Sequence, residues 1–106
     1  MKIIRTWKGW TTKENANAYR AFLKNEVFPS VKASGINGLN KVSISSKDSA
    51  VEVEFFLMLE FESLADVKAF AGENYETAFI PEKAKTLLKR YDTKAEHFEL
   101  NDSFRL

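Results

Sequence analysis

Val51-Glu52-Val53-Glu54-Phe55-Phe56-Leu57-Met58-Leu59-Glu60-Phe61 alternates with a period of two along its whole length. Val51, Val53, Phe55, Leu57, Leu59 and Phe61 fall on one side, and Glu52, Glu54, Phe56, Met58 and Glu60 on the other, as a strand with one buried face requires. Working toward the N-terminus, Lys47-Asp48-Ser49-Ala50 suits a hairpin turn. Leu39 to Ser46 forms its partner strand, with Val42 and Ile44 on one side. Asn37-Gly38 and Ser34-Gly35 are turn and helix-end signals. From Glu14, the apolar residues Tyr19, Phe22, Leu23, Val27 and Val31 recur at helical spacing. Pro29 predicts a kink or a second short helix starting near Phe28, because proline lacks a backbone donor. Ile3 to Trp10 is an opening strand, with Thr12 a cap for the helix after it.

Toward the C-terminus, Ser63-Leu64-Ala65-Asp66 has the form of a capping box, and Leu64, Val67, Phe70 and Ala71 mark a helix that Gly72 interrupts. Tyr75, Ala78 and Phe79 suggest a further helical turn. Pro81 suits the start of another helix, with Ala84, Leu87, Leu88 and Tyr91 as its apolar stripe. Ala95 to Leu100 is a last strand, and Asn101 to Leu106 a short tail. The order β-α-β-β-α-β predicts an α+β, ferredoxin-like fold over residues 1–106: one antiparallel four-stranded sheet with helices on one face.

The composition narrows the function classes. Among 106 residues, 16 Lys+Arg against 15 Asp+Glu leave a formal charge of +1, without the basic excess of a nucleic-acid or anionic-membrane binder. With no cysteine and one histidine, thiolate metal sites, disulfides and a cysteine nucleophile are excluded, and no cofactor is expected. The longest apolar run, Phe55 to Leu59, is far short of the ~20 residues of a membrane helix, and Arg5 breaks any leader-like stretch. The expected compartment is the cytoplasm. The third strand carries glutamates where an RNA-recognition domain places basic and stacking residues, so nucleic acid is not an expected partner. Lys83, Lys85, Lys89, Arg90 and Lys94 alternate with acidic and apolar residues, as on a solvated helix face.

A sheet covered on one side leaves an open face, to which parity assigns Glu54, Phe56 and Met58 from the third strand and His97 and Glu99 from the last. Ile3, Arg5 and Trp7 are placed there from the first strand. Phe56, Met58 and Trp7 are too apolar for a face left in water, so a second copy of the chain is expected to cover it in a homodimer, around a cavity for a small hydrophobic ligand.

The segments Ile3-Ile4-Arg5-Thr6-Trp7-Lys8-Gly9-Trp10-Thr11, Phe70-Ala71-Gly72-Glu73-Asn74-Tyr75-Glu76-Thr77-Ala78 and Arg90-Tyr91-Asp92 with Ala95-Glu96-His97-Phe98-Glu99 resemble small bacterial proteins classed with the antibiotic biosynthesis monooxygenases. The resemblance spans nearly the whole chain. It implies a dimeric α+β barrel and, among characterised relatives, either cofactor-independent oxygenation of aromatic polyketides or haem degradation. The haem degraders share an Asn on the first strand, a Trp on the third and a His on the second helix. None of these occurs here. The function expected is a cofactor-independent monooxygenase acting on a small aromatic or quinone-type molecule, or a non-catalytic binder or structural dimer of the same fold.

His97, the only imidazole, is the candidate general base for removing a proton from a phenol or enol before reaction with O2; its alternative is a structural hydrogen bond. Arg5 is placed either to orient an anionic or carbonyl oxygen or to pair with Glu54 or Glu99. Trp7, Phe56 and Met58 suit a pocket wall or subunit packing, and Tyr75 a hydrogen bond at the cavity mouth. His97 and Glu99 are too few ligands for a metal site.

Overall fold

A computed structural model describes residues 1–106. The alternating segment forms an interior strand, β3 (Val53–Phe61), flanked by β1 (Ile3–Thr11) and β2 (Leu39–Asp48), both antiparallel to it. The far edge of β1 is shared by two short strands. β4 (Leu88–Tyr91) pairs with Gly9 to Thr11, and β5 (Glu96–Glu99) with Ile3 to Thr6. The sheet order β2-β3-β1-β4, with β5 beside β4 on the same edge, is the ferredoxin-like one, with its last lane broken in two. The fold therefore has five strands rather than the four expected. Leu88 and Tyr91, expected in the helical stripe, belong to that extra strand: α4 (Glu82–Leu87) ends where Leu88 turns extended. The segment expected as a helical turn around Tyr75 is irregular, tied down by a bridge between Thr77 and Lys94.

The helices all lie on one face. α1 (Ala16–Phe22) runs through a π-helical turn, Leu23–Val27, into α2 (Phe28–Ala33), which carries Pro29 in its first turn. The proline thus sits where its missing N–H costs least, after the helix has re-registered. α3 (Leu64–Ala71) starts at Ser63, whose hydroxyl accepts from Asp66 N–H at 3.2 Å, as the capping pattern requires. Gly72, at φ +90°, ends it.

Tyr19, Phe22 and Leu23 meet Phe55, Leu57, Leu59 and Phe61 to form the core. The Tyr19 and Phe55 rings stack edge to face at 4.9 Å between centroids. β1 pairs Ile3 with Phe61, Arg5 with Leu59 and Trp7 with Leu57. Directly opposed residues share a face, so Ile3, Arg5 and Trp7 point toward the helices, not to the open side where parity had placed them. His97 opposes Arg5 and Glu99 opposes Ile3, so these two also take the helix-side parity. Gly9 is needed on that face: a Cβ there would meet the Trp7 ring at 2.6 Å. No helix is long and apolar enough to cross a membrane.

Candidate functional site

Reversing the parity of β1 and β5 separates the candidate residues. Arg5, Trp7, Tyr75 and His97 gather on the helix side. Glu54, Phe56 and Met58 stand on the open face, as expected. Glu99 is exposed at the β5 edge. The expected pairing of Arg5 with Glu54 or Glu99 is not formed. Glu54 instead accepts from Trp10 Nε1 at 3.2 Å and lies 3.6 Å from Lys8 Nζ.

Arg5 is 7% exposed and has no carboxylate partner. Its Nη1 donates to the Tyr75 carbonyl at 2.5 Å and to His97 Nε2 at 3.0 Å. The Phe70 ring centroid lies 5.8 Å from its guanidinium carbon. Burial lowers the Arg5 pKa, yet a guanidinium stays charged in a protein. The His97 and Tyr75 rings pack edge to face, with centroids 5.0 Å apart. Burial and then the Arg5 charge lower its pKa, partly opposed by Glu76. At neutral pH the imidazole is therefore uncharged, with Nδ1 carrying the proton and Nε2 accepting from Arg5. Its one free lone pair is taken up by Arg5 in this structure. His97 and the Tyr75 carbonyl together hold the Nη1 corner of the guanidinium.

Trp7 donates from Nε1 to the Asp92 carbonyl at 2.7 Å. Its ring is a fixed wall of a cavity of about 120 Å³ between the sheet and the helices. Phe22, Phe28, Leu59, Phe70 and Ala84 belong to an almost wholly apolar lining, and Arg5 is its one charged residue. The cavity continues past Arg5, Val31 and Phe79 into a wider vestibule of about 700 Å³, where Glu26, Ser30 and Thr77 supply the polar groups. Lys83 bridges Glu26 at 2.8 Å across the rim.

Tyr19 also lines the inner cavity. Its hydroxyl makes no hydrogen bond with the rest of the protein, yet Thr11 Oγ1 is the one unpartnered side-chain polar atom that is fully sealed. The Tyr19 hydroxyl is thus not fully sealed. Burial pushes its pKa above the ordinary phenol value, which keeps it a neutral donor. In the sequence, Tyr19 is indistinguishable from any aromatic core position of an amphipathic helix; its unpaired hydroxyl is a tertiary property. Trp7 and Arg5 line this cavity on the helix side of the sheet, not the open face on which they were expected. Tyr75 supplies a backbone carbonyl and a ring edge rather than its hydroxyl. No group of three His, Asp or Glu side chains comes together anywhere in the chain.

No family model matches the chain, and no curated protein matches it. Solved structures match nearly the whole chain, two of them as follows. One is a candidate antibiotic biosynthesis monooxygenase from Bacillus cereus, with a TM-score of 0.65, 16% identity and coverage of 99% of this chain and 98% of that one. The other is Rv0793 from Mycobacterium tuberculosis, with a TM-score of 0.64, 15% identity and coverage of 97% and 98%. The chain thus shares its ferredoxin-like α+β fold with both structures.

Proposed function

We propose that this protein binds a small aromatic or quinone-type molecule with an acidic oxygen between the sheet and the helices. The oxygen sits on Arg5, and the bound anion is presented to O2 without a cofactor. One observation carries the reading: a buried guanidinium without a counter-ion borders an otherwise apolar cavity. An uncompensated buried cation is costly, and an entering anion offsets that cost. The same charge lowers the pKa of a bound phenol or enol, favouring the electron-rich form that can give an electron to O2. For a methylene flanked by aromatic rings, the balanced change is CH2 + O2 → C=O + H2O. One oxygen atom enters the new carbonyl and the other leaves as water. A cavity of about 150 Å³ holds benzene in another protein, so 120 Å³ admits roughly one ring, with further rings in the vestibule.

Binding without turnover is the second reading. It is favoured by the lone pair of His97, which Arg5 takes up in this structure. Oxygen uptake across a panel of hydroquinones, naphthols and anthrone-type compounds separates the two. With an anthrone-type compound the oxygenase reading expects one O2 consumed per carbonyl formed, with loss of uptake in Arg5→Met. Saturable binding with no uptake by any compound that binds establishes the binder.

The homodimer belongs to the same proposal. The open face presents Ile4, Phe56, Met58 and Phe98, the last two being 38% and 52% exposed. Contiguous large apolar groups on a sheet face support a second copy as the cover.

A further inference from the structure

The donors of Arg5 divide unequally. A guanidinium has five N–H groups in a rigid plane. The two on Nη1 are both used, one on the Tyr75 carbonyl and one on His97 Nε2. Those on Nε and Nη2 make no bond within the protein, yet neither atom is among the sealed, unpartnered ones, a class that contains Thr11 Oγ1 alone. They therefore reach accessible space, and the space that Arg5 borders is the cavity and its vestibule. The Nε and Nη2 edge offers two parallel N–H donors, the arrangement that matches two coplanar oxygens in bidentate fashion. His97 and Tyr75 hold the opposite corner, and Phe70 lies within cation–π range of the guanidinium. The fork is thus fixed before a ligand arrives.

We propose that the ligand of this cavity presents a planar two-oxygen anion to the Nε and Nη2 edge of Arg5. Either a carboxylate on an aromatic ring or an ionised hydroxyl beside a carbonyl has this chemistry. The inference rests on the reading of Arg5 as the oxygen-binding group and narrows it from any acidic oxygen to a paired one. A lone phenolate oxygen engages only one of the two donors well, leaving the other desolvated and unpaired.

Titration of the full chain at neutral pH with naphthoate, with a hydroxynaphthoquinone whose hydroxyl and carbonyl are adjacent, and with a polyfluorinated naphthol whose single hydroxyl is ionised at that pH tests this. Protein fluorescence provides the readout. At least one two-oxygen probe should bind ten or more times more tightly than the naphthol, and the tighter of the two identifies the source of the anion. Arg5→Lys keeps the charge and loses the fork, so it should cost that probe about tenfold while changing the naphthol by less than threefold. Equal binding of the naphthol and both two-oxygen probes overturns the inference and leaves the cavity reading standing, as does full affinity of both in Arg5→Lys. Absence of binding by all three contradicts the cavity reading itself. The ranking on the unmodified protein decides the matter if Arg5→Lys does not fold.

Discussion

Arg5→Met separates a binding role for Arg5 from a structural one. The substitution keeps an unbranched side chain of similar length in a position that is 7% exposed. Two charge-assisted hydrogen bonds are lost, to the Tyr75 carbonyl and to His97, a gross loss of about 3–6 kcal/mol. Against this, a cation without a counter-ion no longer has to be buried, which recovers several kcal/mol. The two nearly cancel, and the folding free energy should stay within about 1 kcal/mol of the unmodified protein by denaturant titration. Ligand affinity has no such compensation. Removing one partner of a buried charged pair typically costs about 2–5 kcal/mol, so an anionic aromatic ligand should bind roughly 30-fold more weakly or worse. Equilibrium unfolding and fluorescence titration on the same preparation read both quantities. A variant that loses several kcal/mol of stability yet binds within threefold of the original refutes the argument. Arg5 would then be a strut between β1 and the Tyr75 segment.

Three further outcomes follow from named contacts. Thr11 Oγ1 is sealed and unpartnered, so Thr11→Val, which keeps the shape, should raise stability by about 1 kcal/mol in denaturant unfolding; a loss of stability would show that the hydroxyl has a partner. The folded-state pKa of His97 lies below its usual 6.5, so as pH falls below 6.5 the unfolded chain takes up a proton that the folded one does not. Its contribution is complete above that pH and is lost between it and the lower folded value. Thermal unfolding should weaken across that window, with a flatter profile in His97→Gln; identical profiles would contradict the assignment. Met58→Lys places a charge on the open face and should move sedimentation equilibrium toward monomer while leaving the fold intact; an unmodified protein that is monomeric at micromolar concentration would remove the proposed dimer.

The parts of this architecture legible in the sequence are those with one unambiguous period. From Val53 to Phe61 every second residue is apolar and buried without a break, and both faces of β3 are as the pattern implies. The Ser63 cap and the break at Phe28–Pro29 have local chemistry that tertiary structure did not override. β1 was ambiguous because Ile3-Arg5-Trp7 and Ile4-Thr6-Lys8 are equally mixed, and a buried arginine makes the true core face look like the wet one. The residue that breaks the pattern is the one with an unspent charge, as expected where function and folding conflict. Leu87, Leu88 and Tyr91 fit a helical step as well as a short strand, and four residues are too few for periodicity to separate them. The cavity between the sheet and the helices went unforeseen for the same reason. With β1 inverted, Arg5 and Trp7 leave the face of Phe56 and Met58 and join Tyr19, Phe22 and Phe70.

An anionic aromatic ligand is expected to enter between sheet and helices and to land on Arg5. Titration of isotope-labelled protein with naphthoate, followed through the Arg5 Nε–H and the side-chain resonances of both sheet faces, addresses it residue by residue. Saturable shifts at Arg5 Nε–H, Leu59, Ala78 and Ala84, with Phe56, Met58 and Phe98 unmoved, are the predicted result. Shifts confined to Phe56, Met58 and Phe98, with the Arg5 resonance unchanged at saturation, would place the ligand on the open face and contradict the account.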